Sequence, residues 1–143
     1  MIHYGTAIRV RNVSGPVLIA NNAAYSRWGR AINLISGKLS LVTLSGNVGS
    51  GGLSGGSAGY VNGYGIMNDF VKGRFDLRPP FDLFPSPGSA LLGAGDPAHA
   101  TSVDFNESPR RLPPDAGAYS SQGGGNPGWA VTTGFKRVAV GDG

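Results

Sequence analysis

Ala7-Ile8-Arg9-Val10-Arg11-Asn12-Val13-Ser14-Gly15-Pro16-Val17-Leu18-Ile19-Ala20-Asn21-Asn22 is followed by a second phrase of the same design, Ala31-Ile32-Asn33-Leu34-Ile35-Ser36-Gly37-Lys38-Leu39-Ser40-Leu41-Val42-Thr43-Leu44-Ser45-Gly46-Asn47. Ala-Ile returns after 24 residues and the closing Asn after 25. Each unit holds two short apolar runs, a Ser-Gly turn between them and an Asn at its far end. Units of this length built from strand-like runs predict a solenoid in which each turn stacks on the next. Asn22 and Asn47 then stand on one rung of an asparagine ladder, a structural role. Two turns are few for a free-standing solenoid. Further turns are therefore expected from a longer parent chain or from a homo-oligomer joined through the open N-terminal coil.

The remaining sequence divides by composition. Within residues 6–13, alternation places Ile8 and Val10 inward, with Arg9, Arg11 and Val13 outward. Val17–Ala20 reads as a second strand, and residues 23–30 as a loop carrying Tyr25, Arg27 and Trp28. Residues 49–65 are dominated by Gly and Ser and read as a flexible loop. Residues 66–143 are expected to form the last coil and a C-terminal cap, with a strand over residues 70–77. An extended, proline-directed path follows, then strands at residues 129–133 and 135–140. No helix is expected. The 143 residues make one domain overall, with coils in residues 1–48.

Charge is distributed unevenly. Residues 1–68 carry Arg9, Arg11, Arg27, Arg30 and Lys38 and no Asp or Glu, whereas residues 69–143 hold all eight acids against seven bases. An acid-free, basic surface attracts anions such as uronate polysaccharide or anionic lipid, with nucleic acid a less favoured partner. The same residues also suit a plain solvated face. Tyr25-Ser26-Arg27-Trp28-Gly29-Arg30 sharpens the binding reading. Aromatic rings flanked by guanidinium groups suit a sugar ring bearing carboxylate or sulfate. The candidate substrate-binding residues are accordingly Arg9, Arg11, Tyr25, Arg27, Trp28 and Arg30.

Several chemistries lack their residues. There is no Cys, so disulfides and thiolate sites are excluded. His3 and His99 stand far apart with no further ligands at matched spacing, so no metal or other cofactor is expected. Glycoside hydrolysis needs two carboxylates about 5–10 Å apart, and the coils supply none. Arginine, with a pKa above about 12, is a poor proton acceptor. No catalytic residue is assigned. No run approaches the ~18 apolar residues of a membrane span, and the first residues do not read as an export signal. A secreted or cell-surface location would rest on a signal elsewhere.

The C-terminal half carries two ordered phrases. One runs Phe75-Asp76-Leu77-Arg78-Pro79, then Ser86-Pro87-Gly88-Ser89-Ala90-Leu91-Leu92-Gly93-Ala94-Gly95. The other runs Asp104-Phe105-Asn106-Glu107-Ser108-Pro109-Arg110-Arg111, then Pro114-Asp115-Ala116-Gly117-Ala118-Tyr119. Over residues 6–120 this resembles the C-terminal end of the pectate-lyase-like superfamily of right-handed parallel β-helix proteins. It departs from the family's phrases at Asn106-Glu107, where Gly is usual, and at Ser120, where Glu is usual. The resemblance implies an all-β fold: a short right-handed parallel β-helix with an irregular Gly/Pro-rich C-terminal cap. In the family the catalytic and Ca²⁺-binding residues sit on middle coils, and no position here receives them. In the cap, Asp104 and Asp115 are expected to accept turn N–H groups, with Arg110 paired to one of them.

Three functions follow as expectations. The first is a non-catalytic terminal module of a secreted carbohydrate-associated protein that binds anionic polysaccharide. The second is a polysaccharide lyase or hydrolase whose site is completed by oligomerisation or by further coils. The third is a structural or adhesive solenoid, as in a filament or virion spike.

Overall fold

A computed structural model of the chain describes residues 2–3, 5–56, 58–76, 78 and 80–123. The strands expected at residues 129–133 and 135–140 lie outside them. The described residues are mostly short strands with almost no helix. In chain order they are β1 (Ile2–His3), β2 (Ile8–Val10), β3 (Val17–Ala20), β4 (Ala23–Ser26), β5 (Ile32–Leu34), β6 (Val42–Ser45), β7 (Asn47–Ser50), β8 (Leu53–Ser54) and β9 (Tyr60–Asn62). The four-residue helix α1 (Ile66–Asp69), β10 (Phe70–Lys72) and β11 (Asp82–Pro85) follow. The all-β expectation holds, with α1 as the one α-helical departure among the described residues.

The first nine strands form three parallel sheets: sheet 1 (β2-β5-β8), sheet 2 (β3-β6) and sheet 3 (β1-β4-β7-β9). From β2 the chain visits sheets 1, 2 and 3 in turn, then repeats the circuit. The sequence period becomes the pairing register: Ile8 lies opposite Ile32, Val17 opposite Val42, and Ala23 opposite Val48. Parallel strands need a long connection between neighbours, and the intervening two strands of each circuit supply it.

Ala7, Ile19, Ala24, Ala31, Ile32 and Leu34 form one apolar cluster drawn from all three sheets, with Tyr60 and Leu53 packed beside it. Burying an aliphatic side chain of this size contributes roughly 1.5–3 kcal/mol. Val13 turns inward rather than outward. Asn12 adopts φ 54°, which breaks the alternation at the corner after β2. There Val13 bridges Gly37, whose φ is 93° and where a Cβ would stand 2.1 Å from the Val13 nitrogen.

The glycine-rich stretch corrects the expectation of a loop over residues 49–65. It holds the end of β7 together with β8 and β9, each paired in parallel with the preceding circuit. Glycine serves close approach here rather than flexibility. At Gly49, inside sheet 3, a Cβ would lie 1.7 Å from the carbonyl oxygen of Ala24. Residues 23–30 are likewise not all loop, because Ala23–Ser26 is the strand β4, buried along its whole length.

The reason β4 is buried on both faces lies further down the chain. Its Ala23 and Tyr25, with Val48 of β7, form a second cluster with Ile66, Phe70, Leu91 and Ala116. Residues 66–116 thus cover the outward side of sheet 3. Among their described residues β10 pairs antiparallel with β11, and the strand expected over 70–77 is found as Phe70–Lys72.

Candidate anion-binding surface

The outward row of sheet 1 is polar. Arg9 pairs in register with Asn33, and Asn33 with Ser54, whose hydroxyl donates to the Asn33 side-chain carbonyl. Ile32 and Leu34 point the other way into the core. Arg9 is exposed by the alternation of the strand, and Arg11 is exposed just beyond its end.

Arg27, Trp28 and Arg30 sit on the turn that leads from sheet 3 into sheet 1. Ser26 builds this turn by accepting the Gly29 N–H at 2.8 Å and donating its hydroxyl to the Gly5 carbonyl. The Ala7 N–H bonds the Arg30 carbonyl at 3.0 Å, which locks the turn onto the neighbouring circuit. Trp28 is 73% exposed, and the Arg27 guanidinium carbon lies 4.9 Å from its ring centroid. An exposed cation–π contact of this kind is worth about 0.5–1 kcal/mol and holds the indole in a defined pose. Arg30 is exposed beside it. Four of the six candidate residues therefore fall on sheet 1 and its leading turn, within the part of the sequence, residues 1–68, that contains no Asp or Glu.

Tyr25 does not join them. It is 0% exposed, its ring meets Phe70 edge-on at 5.1 Å, and its hydroxyl donates to Asp69 Oδ2 at 2.7 Å. The loop reading that made it a surface aromatic missed a strand made of small residues and buried on both faces. Burial, then the Asp69 carboxylate, push the Tyr25 hydroxyl far above its ordinary pKa of 10.0.

Asp69 is fully buried and was not singled out by the sequence. Besides Tyr25 it accepts Gly65 N–H at 3.0 Å, Ala90 N–H at 2.9 Å and the Ser89 hydroxyl at 3.2 Å. Asp104 accepts N–H groups of Asn106, Ser108 and Ser120, and Asp115 those of Gly93 and Ser121. Both bind turns, as expected. Arg110 pairs with neither carboxylate and donates instead to the carbonyls of Asp115, Gly117 and Ala118. Asn22 donates to Asn47 Oδ1 at 3.0 Å, and Asn47 donates onward to Ile19 and Gly59 carbonyls.

Among the described residues no cluster of three or more His, Cys, Asp or Glu is arranged to hold a metal ion. No helix among them is long and apolar enough to cross a membrane. Compared with known proteins, the chain matches no family model, no curated protein and no solved structure.

Proposed function

We propose that the chain is a segment of a right-handed parallel β-helix of the pectate-lyase-like kind. It serves as a non-catalytic module of a secreted or cell-surface protein and binds anionic polysaccharide on sheet 1 and its leading turn. The observation that carries the binding reading is the exposed Trp28 with the Arg27 guanidinium over its ring, with Arg30 exposed on the same turn and Arg9 exposed on β2, all within residues 1–68, which contain no Asp or Glu. The indole offers an apolar platform for a sugar face, and the guanidinium groups offer fork-shaped donors for its carboxylates. The parallel register at 24 and 25 residues supports the helical winding. The non-catalytic reading is supported by the buried carboxylates Asp69, Asp104 and Asp115, whose oxygens are occupied by structural donors.

Affinity electrophoresis and calorimetry with polygalacturonate and alginate, against neutral dextran, test this. The parent protein is expected to bind the polyanions and not dextran, and to weaken strongly as salt rises. Arg27→Ala/Arg30→Ala is expected to weaken binding at least tenfold with an unchanged melting temperature. Unchanged affinity in that variant, equal retention by dextran, or release of unsaturated or reducing products would overturn the reading.

A further inference from the structure

Asn62-Gly63 is the single Asn-Gly step in the chain. Asn62 ends β9, the outermost described strand of sheet 3, and is exposed. Glycine at 63 is dictated by packing, since a Cβ there would stand 2.6 Å from Asp69 Oδ2 and 2.8 Å from the Tyr25 hydroxyl. The fold thus sets an exposed asparagine before the residue type that shields its own main-chain nitrogen least. We propose that Asn62 is a self-modification site, converted by water to aspartate and isoaspartate, and that the pairing of β9 with β7 gates the conversion.

The Gly63 main-chain nitrogen is the nucleophile. It attacks Cγ of Asn62, the bond from Cγ to Nδ2 breaks, and Nδ2 leaves as ammonia with the proton that Gly63 N–H gives up. The product is a cyclic imide in which the Gly63 nitrogen is bonded to both the Asn62 main-chain carbonyl carbon and Cγ. One water opens the ring. Breaking the bond to Cγ leaves aspartate. Breaking the bond to the main-chain carbon leaves isoaspartate, whose main chain runs through Cβ and Cγ. The net change is a side-chain nitrogen exchanged for an oxygen of water.

In the folded chain this nucleophile is engaged. Gly63 N–H donates to the Gly49 carbonyl at 2.7 Å, and β9 lies in register on β7 with Asn62 opposite Gly49. A nitrogen held in such a ladder bond, beside the extended backbone of a strand, does not reach back to the preceding Cγ. β9 must first leave β7. It is built to do so: among the described residues it is three residues long, it pairs on one side, and Val61 and Asn62 are exposed. Short edges of this kind open at lower free energy than a covered core. Conversion then makes the opening permanent. Isoaspartate lengthens the main chain by one atom, which moves Gly63 off the Gly49 carbonyl and out of a slot at Tyr25 and Asp69 too tight for a Cβ. It also places the first carboxylate among residues 1–68.

Timed incubation of the whole chain at neutral pH, followed by tandem mass spectrometry of the tryptic peptide 39–72, tests the assignment. In denaturing guanidinium chloride Asn62 is expected to convert at least tenfold faster than in the folded protein, and ahead of Asn47 and Asn68. Guanidinium below the unfolding midpoint is expected to raise the folded rate progressively, and this arm needs no variant. Gly49→Ala, which displaces the strand carrying the acceptor carbonyl, is expected to raise it at least fivefold. Asn62→Gln is expected to abolish the conversion. In the converted protein, hydrogen exchange at the Gly63 and Asn47 amides is expected to be at least tenfold faster than in the parent, because both bonds hold β9 to β7. Equal rates at Asn62 in the folded and unfolded chain, earlier conversion of Asn47 or Asn68, or parent-like exchange in the converted protein would overturn the proposal.

Discussion

Replacing Tyr25 with Phe removes one oxygen from a fully buried position and leaves the ring against Phe70. Volume hardly changes, so no cavity opens. What disappears is a 2.7 Å hydrogen bond to a buried carboxylate. A hydrogen bond to a charged group is worth about 1.5–3 kcal/mol. Asp69 Oδ2 keeps the Gly65 N–H at 3.0 Å, so the loss falls inside that range, at about 2 kcal/mol. For a 143-residue chain this lowers the melting temperature by roughly 6–10 °C.

The pH dependence makes the experiment specific. The folded Tyr25 pKa is raised, first by burial and then by Asp69. Below about pH 10 the hydroxyl is protonated in both states and its contribution is complete. Above that the unfolded chain releases the proton while the folded chain keeps it. Stability then falls with rising pH, by about 1.4 kcal/mol per unit for this group. Tyr25→Phe lacks this component, so the gap between parent and variant is expected to narrow from pH 10 and close near pH 11.5. Tyr60 and Tyr119, also raised, act equally in both proteins. Urea unfolding followed by circular dichroism from pH 7 to 11.5 measures the gap. A variant within about 0.5 kcal/mol of the parent at pH 7, with parallel pH curves, would refute the buried pairing.

Four further outcomes are expected. Gly49→Ala forces a Cβ against the Ala24 carbonyl and should cost about 3 kcal/mol or more, read by chemical denaturation. Gly15→Ala, with nothing within 4 Å, should be neutral or slightly stabilising in the same assay. Asn47→Ala removes a buried amide that serves the Asn22 N–H and the Ile19 and Gly59 carbonyls, and should destabilise by about 3 kcal/mol in urea. Asp96 is held below the usual carboxylate range, first by the Ser45 hydroxyl, then by the Ala98 N–H and His99. Its stabilisation is present above about pH 4 and lost as pH falls through the folded pKa. Asp96→Asn should therefore flatten the acid limb of a melting-temperature profile between pH 5 and 2.5.

The parts of the fold legible in the sequence were those where one register repeats. Ile8 and Ile32, or Asn22 and Asn47, recur at the spacing that pairs them, so strands β2, β3, β5 and β6 announce themselves. The next circuit is shorter. Ile32 meets Leu53 after 21 residues and Asn47 meets Tyr60 after 13, so the period is lost. Its glycines then resemble a linker by composition, although one at position 49 is required by the nearness of Ala24. Strand β4 was hidden for a different reason. A strand buried on both faces has no alternation to read, and Ala-Ala-Tyr-Ser carries little apolar signal. The exposure of Arg9, Arg27, Trp28 and Arg30 was legible because exposure and charge are local properties. The role of Asp69 was not, since its partners Tyr25, Gly65 and Ala90 come from separate segments.

The covering of sheet 3 also bears on how the protein is made. Ala23, Tyr25 and Val48 leave the ribosome roughly 40–90 residues before Leu91 and Ala116. At about 5–20 residues per second, an apolar sheet face waits several seconds for its lid. A nascent chain stalled in that interval would present a sticky parallel sheet, a natural substrate for chaperones and a seed for aggregation when synthesis outruns them.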